Sequence, residues 1–432
     1  VEVHLFQRFK KFLKNKRTRY NGLMIEKANT KTVLIAMTGG VESTVAAYLL
    51  KKQGYKCIGI GLQLFADGEE SGPFADVAVL DLNKIKNICN YLDIPFYAVN
   101  AADIFTDKVL DPLVGRILSG QTFEPLVYLN TVLLDVLLEK AKKFQTTLVA
   151  SAHYAKVLKN QKTGSFELMV ANDLEHDQSY SLARLEQRHL ENLILPLSEI
   201  RKKEVEKISE LIKVEFIPRI KSNYAHIMHD PRMSKLVEAR SPKDLRRTGN
   251  IYDYTTDASI CEHQGIHHFY VGQSNLMFDK KKEIQIDPLK QIISIVSYKG
   301  NIFIDYPNRL KYREVLVTGF IPAANLDMSQ PMSCYVKMSP KGEKIPCKLN
   351  LKNNNMALVE FDDVRPGLLV AGQFLVFYNR QLDKGKVIGS ALVEASGVFT
   401  PWSYNTLPDK KEDTDAENTE SSKPNYLEKL RF

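Results

Sequence analysis

The chain has 432 residues, 44% apolar and 25% charged, the make-up of a globular protein with room for two or three domains. No run approaches the roughly 18 apolar residues of a membrane helix, so a soluble protein with no membrane partner is expected. Lys and Arg outnumber Asp and Glu by 59 to 51, and the net charge of +8 favours a polyanionic partner such as nucleic acid. The five cysteines, Cys57, Cys89, Cys261, Cys334 and Cys347, form no C-x-x-C pair. That excludes a disulfide framework and a zinc or iron-sulfur site of the usual spacing, leaves the metal set at none, and fits a reducing, cytoplasmic compartment.

Residues 1–31 carry Arg8, Lys10, Lys11, Lys14, Lys16, Arg17 and Arg19 without the apolar core of a signal peptide. They read as a solvated or RNA-touching arm. Lys-rich and without Ser, the segment fits an organellar leader poorly. Residues 33–37 are five apolar residues in a row, the pattern of a parallel strand covered on both faces. Gly39 and Gly40 then allow a sharp turn that brings backbone N–H groups close to an anion. From Val45 the spacing is helical, which points a positive helix end at the same place. A bare Gly-Gly turn reads equally as an ordinary strand-to-helix connection, but the hydroxyls of Thr38, Ser43 and Thr44 favour a phosphate cradle.

Further strands are expected at 57–65, 96–99 and 148–153, with helices at 81–92 and 132–144 and a flexible turn at 67–73. The alternation predicts a doubly wound parallel α/β sheet, with ligand at the carboxyl ends of its strands. Residues 185–218 read as mostly helical and are followed by a loop-rich bridge to about 252. Beyond 284, short alternating strands such as those at 293–297, 315–319, 334–338 and 374–378 predict a small β-barrel. The expected organisation is a basic arm over 1–31, a nucleotide domain over 32–184, a central helical and loop-rich domain over 185–283, the barrel over 284–398, and a disordered polar tail over 399–432.

The loop T-G-G-V-E-S-T at 38–44 resembles the S-G-G-x-D-S signature of ATP pyrophosphatases, the PP-loop superfamily. Ser151-Ala-His-Tyr154, Asp177-Gln-Ser-Tyr180, Leu195-Pro-Leu-Ser-Glu199, Glu262-His-Gln-Gly265, Tyr270-Val-Gly-Gln273 and the barrel segment at 364–378 are similar, in order, to motifs of the tRNA 2-thiouridylases of the MnmA/TrmU type. Each motif alone is weak. His153 by itself reads as a satisfied core histidine, and residues 177–180 as a helix cap. As an ordered set over about 32–395 they are specific.

The resemblance implies an adenine nucleotide alpha hydrolase-like fold and an enzyme that uses ATP with Mg2+. It implies adenylation of the wobble uridine of tRNA at its 2-oxygen, followed by sulfur delivery from a cysteine persulfide. By the same resemblance, Ala36, Met37, Thr38, Gly39, Gly40, Val41, Glu42, Ser43 and Thr44 hold the nucleotide phosphates, and Leu62 and Ala152 flank adenine. Glu42, His153 and Asp177 take catalytic positions, while Asn130, Asp177, Gln178 and Gln373 face the tRNA anticodon arm. A sulfur-carrier protein is an implied further partner.

The chain departs from the family at five places. The relay cysteines correspond to Leu129 and approximately to Ile227. Glu42 stands for the signature's Asp, Thr38 for its Ser, and Ser274-Asn275 for a basic pair. A carboxylate extended by one methylene shifts an orienting oxygen by about 1 Å, enough to cost roughly 100-fold in rate. Arg201-Lys-Lys203 reads as a solvated helix face or an RNA contact. Arg240, Lys243, Arg246 and Arg247 form the stronger tRNA candidate. Three functions stay open on this reading: an adenylating thiouridylase homologue, a catalytically degraded tRNA-binding or regulatory paralogue, and a PP-loop enzyme with another nucleophile.

Overall fold

In the computed structural model, β1 (Thr32–Ala36) is the apolar run at the start of the nucleotide domain. Leu34 and Ala36 enter one apolar cluster, and Val33 and Ile35 enter another on the opposite face. Such double burial is what a central parallel strand requires. α1 (Val41–Lys52) carries Glu42 in its first turn and Lys51 and Lys52 in its last, charges matched to the helix dipole. β2 (Lys56–Gln63) follows. α2 (Leu82–Tyr91) is started by Asp81, whose carboxylate accepts from the Lys84 amide at 2.9 Å.

The chain continues through β3 (Phe96–Asn100), α3 (Ala102–Phe105), α4 (Asp111–Leu118) and α5 (Pro125–Lys143). After β4 (Val149–Ala150), the strands β5 (Ala155–Lys159) and β6 (Phe166–Val170) form a hairpin. α6 (Gln187–Leu190) and β7 (Leu193–Ile194) come next. The five parallel strands lie in the order β3-β2-β1-β4-β7. The order reverses between β1 and β4, and the crevice outside their carboxyl ends is where a ligand fits in such a sheet.

The structure describes residues 31–394 except 67, 75–80, 213, 218–223, 275, 277–285, 325, 328, 353–354 and 383. The expected basic arm, save residue 31, and the expected polar tail lie outside the described residues. Among the described residues no helix is long and apolar enough to cross a membrane.

Three expectations need correction. The parallel sheet runs past residue 184, because β7 supplies its last strand. The stretch at 185–218 is also less helical than its leucine spacing indicated: its helices are α6 and α7 (Lys202–Ser209). Finally, the central region is not only helix and loop. Beyond α8 (Met233–Arg240), β8 (Gly249–Asp253), β9 (Ser259–His263), β10 (Gln291–Val296) and β11 (Asn301–Asp305) form a four-stranded sheet in the order β10-β11-β8-β9. The alternation at 293–297 therefore belongs to this sheet and not to the barrel. Its small core is built on Ile251, Ile292, Ile302 and Ile304. β8 and β9 contribute few apolar residues to it, so their sequence lacks a strand signal.

The barrel closes through β12 (Lys311–Pro322), β13 (Met332–Lys337), β14 (Lys344–Leu351), β15 (Met356–Pro366), β16 (Phe374–Tyr378) and β17 (Val387–Val393). All five residues of β16 are buried. Leu375 and Phe377 fill the barrel interior, while Phe374, Val376 and Tyr378 pack into the core of the nucleotide domain. At about 1.5–3 kcal/mol for each large apolar side chain buried, this seam is worth several kcal/mol. Polar bonds cross it as well. The Tyr180 hydroxyl donates to the Phe374 carbonyl at 2.7 Å, the Ser390 hydroxyl to the Ala183 carbonyl at 3.2 Å, and the Val170 amide to the Gly385 carbonyl at 3.0 Å.

Candidate functional site

The loop between β1 and α1 opens at the sheet's switch point. Gly39 has φ +75°, and a Cβ there would lie 2.5 Å from Ile217 Cδ1 and 3.0 Å from Ile85 Cγ1. Glycine is therefore required twice, by backbone conformation and by space. Gly40 is the residue before the helix, and a Cβ on it would meet nothing closer than Thr38 Oγ1 at 3.6 Å, so the space before it is open.

The hydroxyls tie the turn together. Ser43 Oγ lies 3.1 Å from Thr38 Oγ1 and donates to the Gly40 carbonyl at 3.1 Å, and Thr44 Oγ1 donates to the same carbonyl at 2.8 Å. The amides of Val41, Glu42 and Ser43 occupy the first turn of α1, where no intrahelical acceptor exists. This combination fits a triphosphate, with open space at Gly40 and the positive helix end behind it. One feature works against it. The Ile217 amide donates to the Gly39 carbonyl at 2.9 Å, and the Ile217 side chain lies against the glycine.

Around the loop the structure collects several expected residues. Ala36 and Met37 are buried at the end of β1, and Leu62 is buried in β2. Ser151 Oγ lies 3.0 Å from His153 Nδ1, just past β4, with Ala152 packed on the same apolar cluster as α1. Glu42 Oε1 is 3.7 Å from Lys202 Nζ, whose own amide donates to Asp173 at 2.8 Å. Asp173 in turn holds His176 at 3.1 Å. Lys202, Asp173 and His176 were not singled out from sequence as parts of the site; Lys202 stood inside a basic run that read as a solvated helix face or an RNA contact.

Other expected residues have structural partners. Asp177 is partly buried, accepting from the Ala171 amide at 2.9 Å and the Ser179 hydroxyl at 2.7 Å, and Ser179 Oγ lies 3.0 Å from the Tyr378 hydroxyl on the barrel. Burial pushes its carboxyl pKa up, opposed by those bonds and by Lys337. Gln178 clamps Tyr154 from both sides: its side chain accepts from the Tyr154 amide at 2.9 Å and its amide donates to the Tyr154 carbonyl at 2.7 Å. Asn130 donates to the Ser181 carbonyl at 3.1 Å, and Gln373 to the Met338 carbonyl at 3.0 Å.

Leu129 and Ile227, which the resemblance sets against the relay cysteines, both serve the core. Leu129, on α5, packs against the nucleotide-domain core, and Ile227 is buried in it. Burial pushes the thiol of Cys57 up to about 12 and that of Cys89 up to about 11, so neither is a thiolate near neutrality. Cys334 and Cys347 are buried as facing residues of β13 and β14, and Cys261 is half-buried on β9 opposite Ile251. Glu124, at the start of α5, was missed from sequence, and burial raises its carboxyl to about 7.

The basic set divides. Arg240 pairs with Glu69 and lies 3.9 Å from Asp111. The Arg246 guanidinium donates to the Ser241 carbonyl at 2.8 Å. Lys243 and Arg247 remain exposed, and with Thr248, Gln264 and Lys299 they border an open cleft of about 690 Å³.

Fold and loop together define a parallel α/β protein with a hydroxyl-rich, glycine-centred anion loop at its switch point and a barrel docked alongside. Comparison with known proteins makes this specific. The model of the tRNA methyl transferase HUP domain matches residues 31–224, and that of the aminomethyltransferase β-barrel domain matches residues 315–393. The chain thus carries both domains in order, the HUP domain first and the barrel after it. The tRNA-specific 2-thiouridylase MnmA of Clostridium perfringens is 28% identical over 372 residues, covering 84% of this chain and 99% of that protein. MnmA 1 of Clostridium tetani is 27% identical over 376 residues, covering 86% and 99%. A solved predicted subunit of tRNA methyltransferase from Methanocaldococcus jannaschii is 17% identical, with a TM-score of 0.31 over 50% of this chain and 91% of that one, too slight a likeness to argue from.

Proposed function

We propose that the chain binds ATP and a tRNA anticodon arm and activates the wobble uridine at its 2-oxygen, the sulfur arriving from outside the chain. The observation that carries this reading is the α1 loop, whose open space at Gly40, before the positive end of the helix, suits a triphosphate. When bound, ATP with Mg2+ supplies the adenylyl group that makes the uridine oxygen a leaving group. The chain's own part is to hold the phosphates on the amides of Gly40 to Ser43 and to offer the Glu42 carboxylate to the metal. The Ser151–His153 pair stands at the adjacent strand end, where a proton can be held or passed. Lys243, Arg247 and Lys299 supply exposed positive charge for the RNA backbone.

With leucine and isoleucine standing where the resemblance puts the relay cysteines, a soft nucleophile such as sulfide has to attack the activated carbon directly and expel AMP; the persulfide of a carrier protein serves only if a second thiol from that carrier then cleaves the disulfide it leaves on the uridine. A second reading, a tRNA-binding paralogue without catalysis, is favoured by Ile217 lying on Gly39 and by the pairing of Glu42 with Lys202. One assay separates them: incubation with ATP, Mg2+ and tRNA, with pyrophosphate and 2-thiouridine followed with and without sulfide. The first reading expects tRNA-dependent pyrophosphate release and sulfide-dependent thiouridine, both surviving replacement of Cys261 by serine. Tight tRNA binding with neither product overturns it in favour of the second.

A further inference from the structure

Away from the nucleotide loop, two consecutive histidines meet a carboxylate at the junction of α8 and the turn Ile266–His268. His267 Nε2 lies 3.2 Å and His268 Nε2 3.8 Å from Glu238 Oε1. The three ligating atoms all fall within 4.8 Å of one another, and the two imidazole centroids are 4.0 Å apart. A hydrogen bond accounts for the shorter approach, but 3.8 Å is too long for one. Tetrahedral zinc, with bonds of about 2.0–2.1 Å to His nitrogen and a similar length to carboxylate oxygen, places its ligands about 3.3–3.5 Å apart. The two observed edges bracket that length.

We propose that Glu238, His267 and His268 form a binding site for a divalent transition ion of the zinc class, with its remaining coordination position open to solvent. The donor set of two imidazoles and one carboxylate is of the kind zinc takes at open sites. Both histidines line the 690 Å³ basic cleft and also a neighbouring cavity of about 340 Å³. Water or an anionic oxygen therefore has access to the fourth position.

Two features limit the affinity. His267 Nδ1 is buried without a hydrogen-bond partner, so the ring lacks the outer support that typically contributes 10–100-fold to metal binding. Arg246 also places positive charge close enough to act on both Glu238 and His267. A dissociation constant of about 1–10 µM is expected, far weaker than that of a structural zinc site.

The test uses tag-free full-length protein stripped with a chelator and titrated with Zn2+ by calorimetry, and with Co2+ by visible absorption. The expected result is one ion per chain, cobalt bands of tetrahedral intensity, and at least about tenfold weaker binding in His268→Ala and in Glu238→Gln. Both side chains are partly exposed, so melting temperature is expected to hold in each variant and keeps the comparison interpretable. Binding that survives in both variants assigns the ion to other donors and overturns the proposal, as does absence of binding at about 100 µM Zn2+.

Discussion

Asp177 tests whether an acid in a family-like motif is chemistry or architecture. The resemblance implies a catalytic position, yet its carboxylate takes up the Ala171 amide, the Ser179 amide at 3.4 Å and the Ser179 hydroxyl, which in turn meets Tyr378 across the seam. Asp177→Ala leaves these donors without an acceptor at a site where bonds to a charged group are worth about 1.5–3 kcal/mol each. Allowing for relief of the burial that raises this carboxyl's pKa, a net loss of about 2–4 kcal/mol is expected. That corresponds to a fall of roughly 5–15 °C in the barrel-docked unit, at about 2–4 °C per kcal/mol. Asp177→Asn keeps the oxygen that serves both backbone amides, and the Ser179 hydroxyl can turn to accept from the new amide. Its loss is therefore under about 1 kcal/mol. Melts followed by circular dichroism, beside tRNA-dependent pyrophosphate release on the same samples, read both variants. If both melt like the unsubstituted chain while both lose pyrophosphate release, Asp177 is catalytic and the architectural argument fails.

Three further outcomes follow from the geometry. Gly39→Ala combines a positive φ with a Cβ 2.5 Å from Ile217 Cδ1, a local cost of about 2–4 kcal/mol, and weakens ATP binding more than tenfold; fluorescent-nucleotide titration checks it, and adding Ile217→Ala restores only the steric share. Glu124 holds its proton more tightly folded, at about 7, than at its ordinary 4.5, so its contribution to stability falls as pH rises through that window. Glu124→Gln accordingly raises stability at pH 8 by at most about 3 kcal/mol and leaves pH 4 unchanged, as denaturant midpoints at the two pH values will report. Lys243→Ala and Arg247→Ala each lower the slope of log affinity for tRNA against log salt by about 0.7–0.9, whereas Arg240→Ala, already paired with Glu69, costs stability and leaves that slope in place.

The apolar run of β1, the Gly-Gly turn and the five-residue run of β16 were legible because each is buried on two faces or needs a special φ, and such demands narrow the choice of residue. The β8–β9 pair was not, since Ile251 alone supplies its fully buried apolar anchor and the rest of its partners arrive from β10 and β11, far along the chain. The residues of the loop's surroundings were legible as motifs but not as roles. Gln178 and Asn130 look in sequence like groups for a ligand, and only their distances to the Tyr154 amide and the Ser181 carbonyl reveal that they brace the scaffold. Glu238 and His267 are 29 residues apart, a separation at which no spacing rule of the zinc-motif kind operates.

Because β16 is a wall common to two cores, the chain on either side of the central sheet is gripped independently of the covalent path between them. A single cut in the exposed turn near Lys243 would leave two pieces that stay together, held by Phe374, Val376 and Tyr378 and by the bonds from Tyr180 and Ser390. The same two pieces made separately have reason to find each other and reassemble, while either one alone presents an apolar surface to water. The nucleotide half cannot be trimmed into a free-standing module at the barrel's expense, and the barrel cannot be lifted out intact.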